Sequence, residues 1–466
     1  MSHLDCELSN GQTPLMYAIS QNKKEVAKAL IKAGADPNAG ASTGHRPLLD
    51  AVLRGNDDLV KLLIDAGADS GEVAAKVGYR AYAGDEQYER VLDTADKVDK
   101  ISSSIKTVFY TKLAGHALHF KGNIELTGGS KVSLEKGRIA GWCKEMADST
   151  EKLAEKLTEE SQINQLDQLE GSLRSVSDQA RKEADEILLE INSSEGGVLL
   201  TTGYSGATNH SLMVLFFDDL FVVCNRGAYS GGQLKTSSFV LDPNVVTLEL
   251  VEEIIGLKNK SEEYFGEFIE SLPKRKGFSK KNKRAKEFDN ACHLPHQWVG
   301  NCSWTSAETG VWATMLAGNL KAAGGNKRAR SEAIKKTRQQ FTEWVNFQRI
   351  RSTQLYMDKL DPKDYNRDFL LKQFEQLYQI RHETPITKEA LQKVEKQAVA
   401  YFNSDSRLKH NIITLKTIKE FWTKVPLHEE LKDRFIREEK RRKFINISSI
   451  GYDRKFNPRW SKSAPS

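Results

Sequence analysis

The sequence predicts a multidomain α+β protein: an N-terminal repeat solenoid, a helical arm, an α+β core built on an apolar hairpin, and a helical C-terminal extension. Three observations predict it. A block of residues recurs at the start of the chain with a fixed period. An apolar hairpin follows His210, running from Leu212 to Cys224 about a turn at Asp218-Asp219. Two stretches, from about Arg138 to Ile191 and from Asn326 onwards, are rich in charge with apolar residues at helical spacing. At 466 residues the chain exceeds one ordinary core, and about 100 to 200 residues per domain suggests roughly three units. Its 39% hydrophobic, 28% charged and 8% aromatic content is that of a folded soluble protein.

The same composition excludes several classes. No apolar run reaches the roughly 18 residues of a transmembrane helix, so no membrane span is expected. Met1-Ser2-His3-Leu4-Asp5-Cys6 has neither the basic start nor the apolar stretch of a secretory signal. The five cysteines (Cys6, Cys143, Cys224, Cys292, Cys302) are odd in number and widely spaced. That argues against a disulfide framework and for a reducing compartment, where a free thiolate survives. No cofactor motif is read. The net charge of +6 is modest, but the basic residues cluster, so any attraction to acidic partners is local.

Gly11-Gln12-Thr13-Pro14-Leu15 recurs as Gly44-His45-Arg46-Pro47-Leu48, and Ala33-Gly34-Ala35-Asp36 as Ala66-Gly67-Ala68-Asp69, each pair offset by 33 residues. Thr13 is suited to cap a helix, Pro14 to its first position, and Gly34 and Gly67 to left-handed helix ends. Arg46 replaces the threonine in the second copy, so that helix loses its cap. A degenerate third copy is read around Gly84-Asp85 and Val91-Leu92, and a remnant of a fourth at His116-Ala117-Leu118-His119 with Gly122-Asn123. This pattern resembles the ankyrin repeat. The resemblance implies a recognition scaffold that binds a protein. Leu30, Asp36 and Asn38 also match the spacing of ankyrin turns hydroxylated by the asparaginyl hydroxylases of animal cells, which makes Asn38 a candidate modification site.

The repeat solenoid is assigned to residues 1–137. Ile124 to Leu134 alternates about Gly128-Gly129-Ser130 and reads as a hairpin. Residues 138–193, with Leu153, Leu157, Leu166, Leu169, Leu173 and Val176 in stripes, read as two helices forming an arm. Residues 326–466 form the helical extension, broken at Pro362, Pro385 and Pro426. Lys274-Arg275-Lys276 and Lys280-Lys281-Asn282-Lys283-Arg284 form a basic stretch open to three readings: a solvated loop, a nuclear signal, or a patch for a nucleic-acid-associated complex.

Residues 194–325 hold the candidate chemistry. His210 opens Ser211-Leu212-Met213-Val214-Leu215-Phe216-Phe217, apolar on both faces and therefore a buried strand. A turn at Asp218-Asp219 returns the chain to Cys224-Asn225. Centring the turn there pairs Leu212 with Asn225 and His210 with Gly227, so His210 and Asn225 share a face as diagonal neighbours, about 7 to 8 Å apart at the backbone. Asp218 and Asp219 lie some 26 Å from the imidazole at about 3.3 Å per residue, which excludes them as its partner. Cys302 precedes a helical stripe of Ala307, Val311 and Met315, and a helix N-terminus beside an imidazolium favours a thiolate. Gln297, five residues earlier, is close enough to join the Cys302 N–H as an oxyanion hole. A metal site from Cys292, His293, His296 and Cys302 is the competing reading, although its spacing fits no common zinc pattern.

Gln297, Cys302, His210 and Asn225, with Trp304 just after the cysteine, resemble the papain-like cysteine hydrolases over about residues 196 to 228 and 290 to 320. The resemblance implies a papain-like fold and these roles, with His before Cys in permuted order, which geometry tolerates. Gln297 lies one residue nearer the cysteine than in papain. Repeats, arm, permuted hydrolase-like domain and basic helical tail together resemble bacterial ankyrin-repeat effectors delivered into host cells by type IV secretion. That implies action on a host protein in the host cytoplasm or nucleus, with a translocation signal in the polar tail from Phe456 to Ser466. A non-catalytic adaptor that keeps the fold without the activity remains the alternative.

Overall fold

The repeats set up the first core. In the computed structural model, residues 3–9, 11–40, 46–69, 99–120, 122–126, 131–134, 139–179, 182–204, 210–225, 236–280, 282–292, 294, 302–360, 366–379 and 384–404 are described. Helix α1 (Pro14–Ser20) starts at Thr13, whose hydroxyl accepts the Met16 N–H at 3.3 Å. It pairs with α2 (Lys24–Lys32), and α3 (Pro47–Leu53) with α4 (Asp57–Asp65) repeats the unit. Arg46 makes no side-chain cap on α3. Gly34 and Gly67 end α2 and α4 with φ of 96° and 91°, a conformation glycine adopts without strain. Leu15, Ile19, Leu48, Val52, Leu59 and Leu63 fill the space between the helices. The expected third copy at residues 84–92 lies outside the described residues.

Helix α5 (Asp99–Ala117) belongs to two cores at once. Its Val108 joins the repeat core, while Phe109, Leu113, Ala114 and Ala117 face the main one. His116 to His119, read as a repeat remnant, is the C-terminal end of this helix. It leads to the expected hairpin, β1 (Asn123–Glu125) and β2 (Lys131–Ser133), with Ile124 opposite Val132.

The stretch read as an arm of two helices contains three: α6 (Ile139–Ala154), α7 (Glu160–Asp178) and α8 (Ala184–Ser193). Helices α6 and α7 are built into the main core, where Trp142, Met146, Leu153, Leu169 and Leu173 are buried. The charge that suggested an exposed arm lies on their outer faces. Their apolar stripes need a partner and have one.

Helix α6 packs on other helices, and α7 packs on an antiparallel sheet whose strands β3 (Val198–Tyr204), β4 (His210–Phe217), β5 (Leu220–Cys224), β6 (Ser237–Leu241) and β7 (Phe278–Ser279) lie in sequence order. Both faces are covered, which explains the unbroken apolar runs. Met213, Leu215, Phe217, Val222 and Cys224 face the main core. Leu212, Val214, Phe216, Phe221 and Val223 face α8, α9 (Leu248–Gly256) and α10 (Glu262–Ser271). The β4–β5 turn rests on Asp218 at φ 50°, and Met213 pairs with Cys224, the register the sequence predicts.

Helix α11 (Lys283–Ala291) packs on β6, and α12 (Cys302–Ala323) crosses the main-core face. At Gly310 the helix comes so close that an added Cβ would lie 3.0 Å from the Leu199 side chain. The helical extension begins with α13 (Lys327–Lys359), followed by α14 (Arg367–Gln379) and α15 (Pro385–Ser404). Helix α13 completes the main core by burying Phe341, Trp344, Val345, Ile350 and Tyr356. The chain is thus a mixed helix-and-sheet protein with an N-terminal repeat module.

Candidate functional site

Several chain segments meet at one end of the sheet. Strand β3 ends there at Tyr204, β4 begins at His210, β5 runs out through Cys224 to Asn225, and β6 begins at Ser237. Helix α11 runs towards this end. Arg284, near its start, pairs with Asp219 in the turn at the far end. Further along, Asp289 Oδ1 accepts both the Ser238 N–H and the Ser238 hydroxyl at 2.7 Å. Helix α12 starts at this end: the Ser306 hydroxyl donates to the Ser211 carbonyl at 3.1 Å, and Lys321, near the helix's other end, pairs with Asp218 at 3.0 Å. Helix α11 therefore ends, and α12 begins, at one end of the sheet.

His210 Nε2 lies 3.4 Å from Asn225 Oδ1, and Asn225 is 3% exposed. The amide oxygen can only accept, so a hydrogen bond here requires the ring proton on Nε2. The carbonyl of Asn225 accepts the Thr236 hydroxyl at 3.1 Å, which fixes the strand end. The imidazole also stacks on Tyr204, with centroids 5.4 Å apart, and Tyr204 packs on Phe265 of α10. Gly203 supports the arrangement from β3. At φ 155°, an added Cβ there would meet the His210 carbonyl oxygen at 2.0 Å, so only glycine allows the two strands to approach this closely. Asp218 and Asp219 are at the opposite end, tied to Lys321 and Arg284.

Cys302 is the first residue of α12. Its side chain and residues 295–301, Gln297 among them, lie outside the described residues. Ser306 is bonded to Ser211, so the Cys302 backbone, four residues earlier on the helix, stands about 6 Å beyond the level of Ser211. His210 projects with Tyr204 towards α10, whereas α12 covers the other face. Of the other thiols, Cys143 and Cys224 are fully buried and burial pushes both pKa values up. Cys292 is also buried, while Cys6 is exposed.

The remaining candidates divide clearly. Asn38 staples two repeats: its Nδ2 donates to the Gly67 carbonyl at 3.2 Å and its Oδ1 accepts the Asp69 N–H at 2.7 Å. In the basic stretch, Arg275 makes a two-pronged bond to Glu253 at 2.6 and 2.8 Å, and Lys280 lies over the Phe239 ring. Arg284 is held by Asp219. Arg275 and Arg284 are thus held in the fold, the exposed basic groups among the described residues of the stretch are Lys274, Lys276, Lys280 and Lys283, and Lys281 lies outside the described residues. His293, His296 and the Cys302 side chain of the alternative metal set lie outside the described residues. Among the described residues no group of three or more His, Cys, Asp or Glu side chains is arranged to hold a metal ion. No described helix is long and apolar enough to cross a membrane.

Two features were not read from the sequence. One is Gly203. The other is a buried network under the start of α12, where Glu308 Oε1 accepts the Trp304 indole N–H at 2.9 Å and lies 3.1 Å from His119 Nε2. Nearby, the Trp142 indole donates to the Ser303 hydroxyl at 3.3 Å. The period of 33 signals neither, because these contacts join residues 161 and 189 positions apart.

Residues 1–73 match the family model of ankyrin repeats, in three copies. No curated protein matches the sequence. Among solved structures, the chain is similar to the one described as "Structure of Legionella Effector AnkH", with 16% identity, 91% of this chain and 88% of that chain covered, and a TM-score of 0.47. The N-terminal module thus carries ankyrin repeats.

Proposed function

We propose that the protein is an effector whose ankyrin repeats select a host protein and whose sheet end carries a papain-like thiol hydrolase or transferase site. The observation that carries this reading is the His210–Asn225 bond at the same end of the sheet where α12 begins at Cys302. In this reading Asn225 holds Nε2 and the imidazole takes the Cys302 proton on Nδ1. The helix N-terminus and the imidazolium favour the thiolate. The thiolate attacks a carbonyl, and the oxyanion is met by the Cys302 N–H and the Gln297 amide. The imidazolium then protonates the leaving amine, and water or a second nucleophile releases the acyl group. Proteolysis, deamidation and acyl transfer share these steps. Type IV delivery and a host cytoplasmic or nuclear site of action belong to the same proposal and rest on the sequence resemblance. So does hydroxylation of Asn38, which requires the repeat turn to open. An added oxygen on Asn38 in protein recovered from animal cells supports it, and a well-covered unmodified peptide refutes it.

A second reading, a non-catalytic adaptor, is favoured by one observation: His210 stacks on Tyr204 on the face away from α12. The two readings separate when proteins captured by the wild type and by Cys302→Ala are compared by mass spectrometry. The hydrolase or transferase reading expects new termini or mass changes with the wild type alone, with capture retained in both. Identical products from the two proteins leave the adaptor.

A further inference from the structure

Helix α5 ends on His119 in the left-handed conformation, φ 57°. The His119 N–H reaches the His116 carbonyl at 3.0 Å and the Phe120 N–H returns to Gly115 at 2.8 Å. Glycine is the usual residue in this position, because a Cβ is strained there. The histidine in its place puts its side chain to use. Its Nε2 lies 3.1 Å from Oε1 of Glu308, whose side chain is 4% exposed. A carboxylate so buried is costly unless donors meet it. The His119 ring is one donor and the Trp304 indole, at 2.9 Å, another. Trp304 is the third residue of α12, and Glu308 follows one turn later on the same helix face.

We propose that His119 is a positioning residue for the Cys302 site. By holding Glu308, and through it Trp304, it fixes the first turn of α12 on which Cys302 stands. Because α5 also sends Val108 into the repeat core, the same contact ties the recognition module to the candidate chemistry. The inference rests on the reading of Cys302 as a nucleophile.

The test uses His119→Gly in the full chain. Glycine suits the left-handed backbone, which offsets part of the cost of leaving Glu308 one donor short, so the variant should stay folded with a melting temperature moderately below that of the wild type. Iodoacetamide should nevertheless alkylate its Cys302 about tenfold more slowly, and the amides of residues 303 to 306 should exchange hydrogen faster. Glu308→Ala, which removes the acceptor altogether, should slow alkylation similarly, and the double variant should be no slower than Glu308→Ala, since both act through one contact. Unchanged alkylation and exchange in His119→Gly, with wild-type Cys302 reacting faster than Cys6, overturns the positioning role. If wild-type Cys302 reacts no faster than Cys6, the nucleophile reading falls instead. The tie is then decided by exchange alone: faster exchange in the variant supports it and unchanged exchange overturns it.

Discussion

The repeat module and the end of the sheet use their polar residues in opposite ways. In the repeats, Thr13 bonds to Met16, Asn56 accepts the Leu59 N–H, and Asn38 bonds to the equivalent turn of the next copy. Each contact is local or one repeat away, and each serves the fold. At the sheet end, His210 meets Asn225 across a hairpin, Ser306 meets Ser211, and His119 meets Glu308 from a different part of the chain. Polar contacts that cross the chain cost more to organise and have no repeat to maintain. Such contacts also run through the main core, as from Trp344 to Thr150, but at this end of the sheet they surround the residues proposed for the chemistry.

The largest expected effect tests that contrast at Gly203. Gly203→Ala drives a Cβ to 2.0 Å from the His210 carbonyl and strains a positive φ, so it should cost about 3 kcal/mol or more. Thermal unfolding of the variant measures it. A melting temperature close to that of the wild type would mean that β3 and β4 do not approach as described.

An intermediate effect is expected inside the helical layer. Glu145 on α6 is half-buried, and its pKa is raised to about 6, first by burial and then by the neighbouring Asp148. Between its ordinary value of 4.5 and about 6 the folded chain binds more protons than the unfolded one. Stability from this group therefore falls as the pH rises across that window. Glu145→Gln should remove that slope and raise stability at pH 7 by on the order of 1 to 2 kcal/mol. Denaturant titrations at pH 4 and pH 7 read both effects, and a variant less stable than the wild type at pH 7 contradicts them.

The smallest effect belongs to the repeats. Thr13→Ala removes the α1 cap and should cost about 1 kcal/mol. Cys302 reactivity should be unchanged, because the loss stays within one repeat. A change in that reactivity would show that the two regions are less separable than the contrast holds.

What the sequence made legible follows the same division. The period of 33 located Thr13, Gly34, Gly67 and the missing cap at Arg46, because a repeated unit displays its own rules twice. The β4–β5 register was legible too. A two-residue turn between apolar runs leaves one pairing, and that pairing brought Asn225 to His210. The helical layers were harder to read. Charged residues on the outer faces of α6, α7 and α13 masked Trp142, Leu169 and Trp344, which are fully buried. Local composition reports the face a helix shows to water, not the core it closes. His119 was read as a repeat fragment because its partner Glu308 belongs to a helix much later in the chain.

The central claim is that His210, held by Asn225, and the start of α12 make Cys302 a nucleophile. Its most direct measurement is the alkylation rate of each cysteine by iodoacetamide at neutral pH, mapped by peptide mass spectrometry. Cys143, Cys224 and Cys292 are buried, so exposed Cys6 is the internal standard. The account predicts that Cys302 reacts about tenfold or more faster than Cys6. His210→Ala should abolish that advantage, Asn225→Ala should reduce it, and Asp218→Ala should leave it intact. A Cys302 that reacts no faster than Cys6, or whose rate is indifferent to His210, would contradict the account.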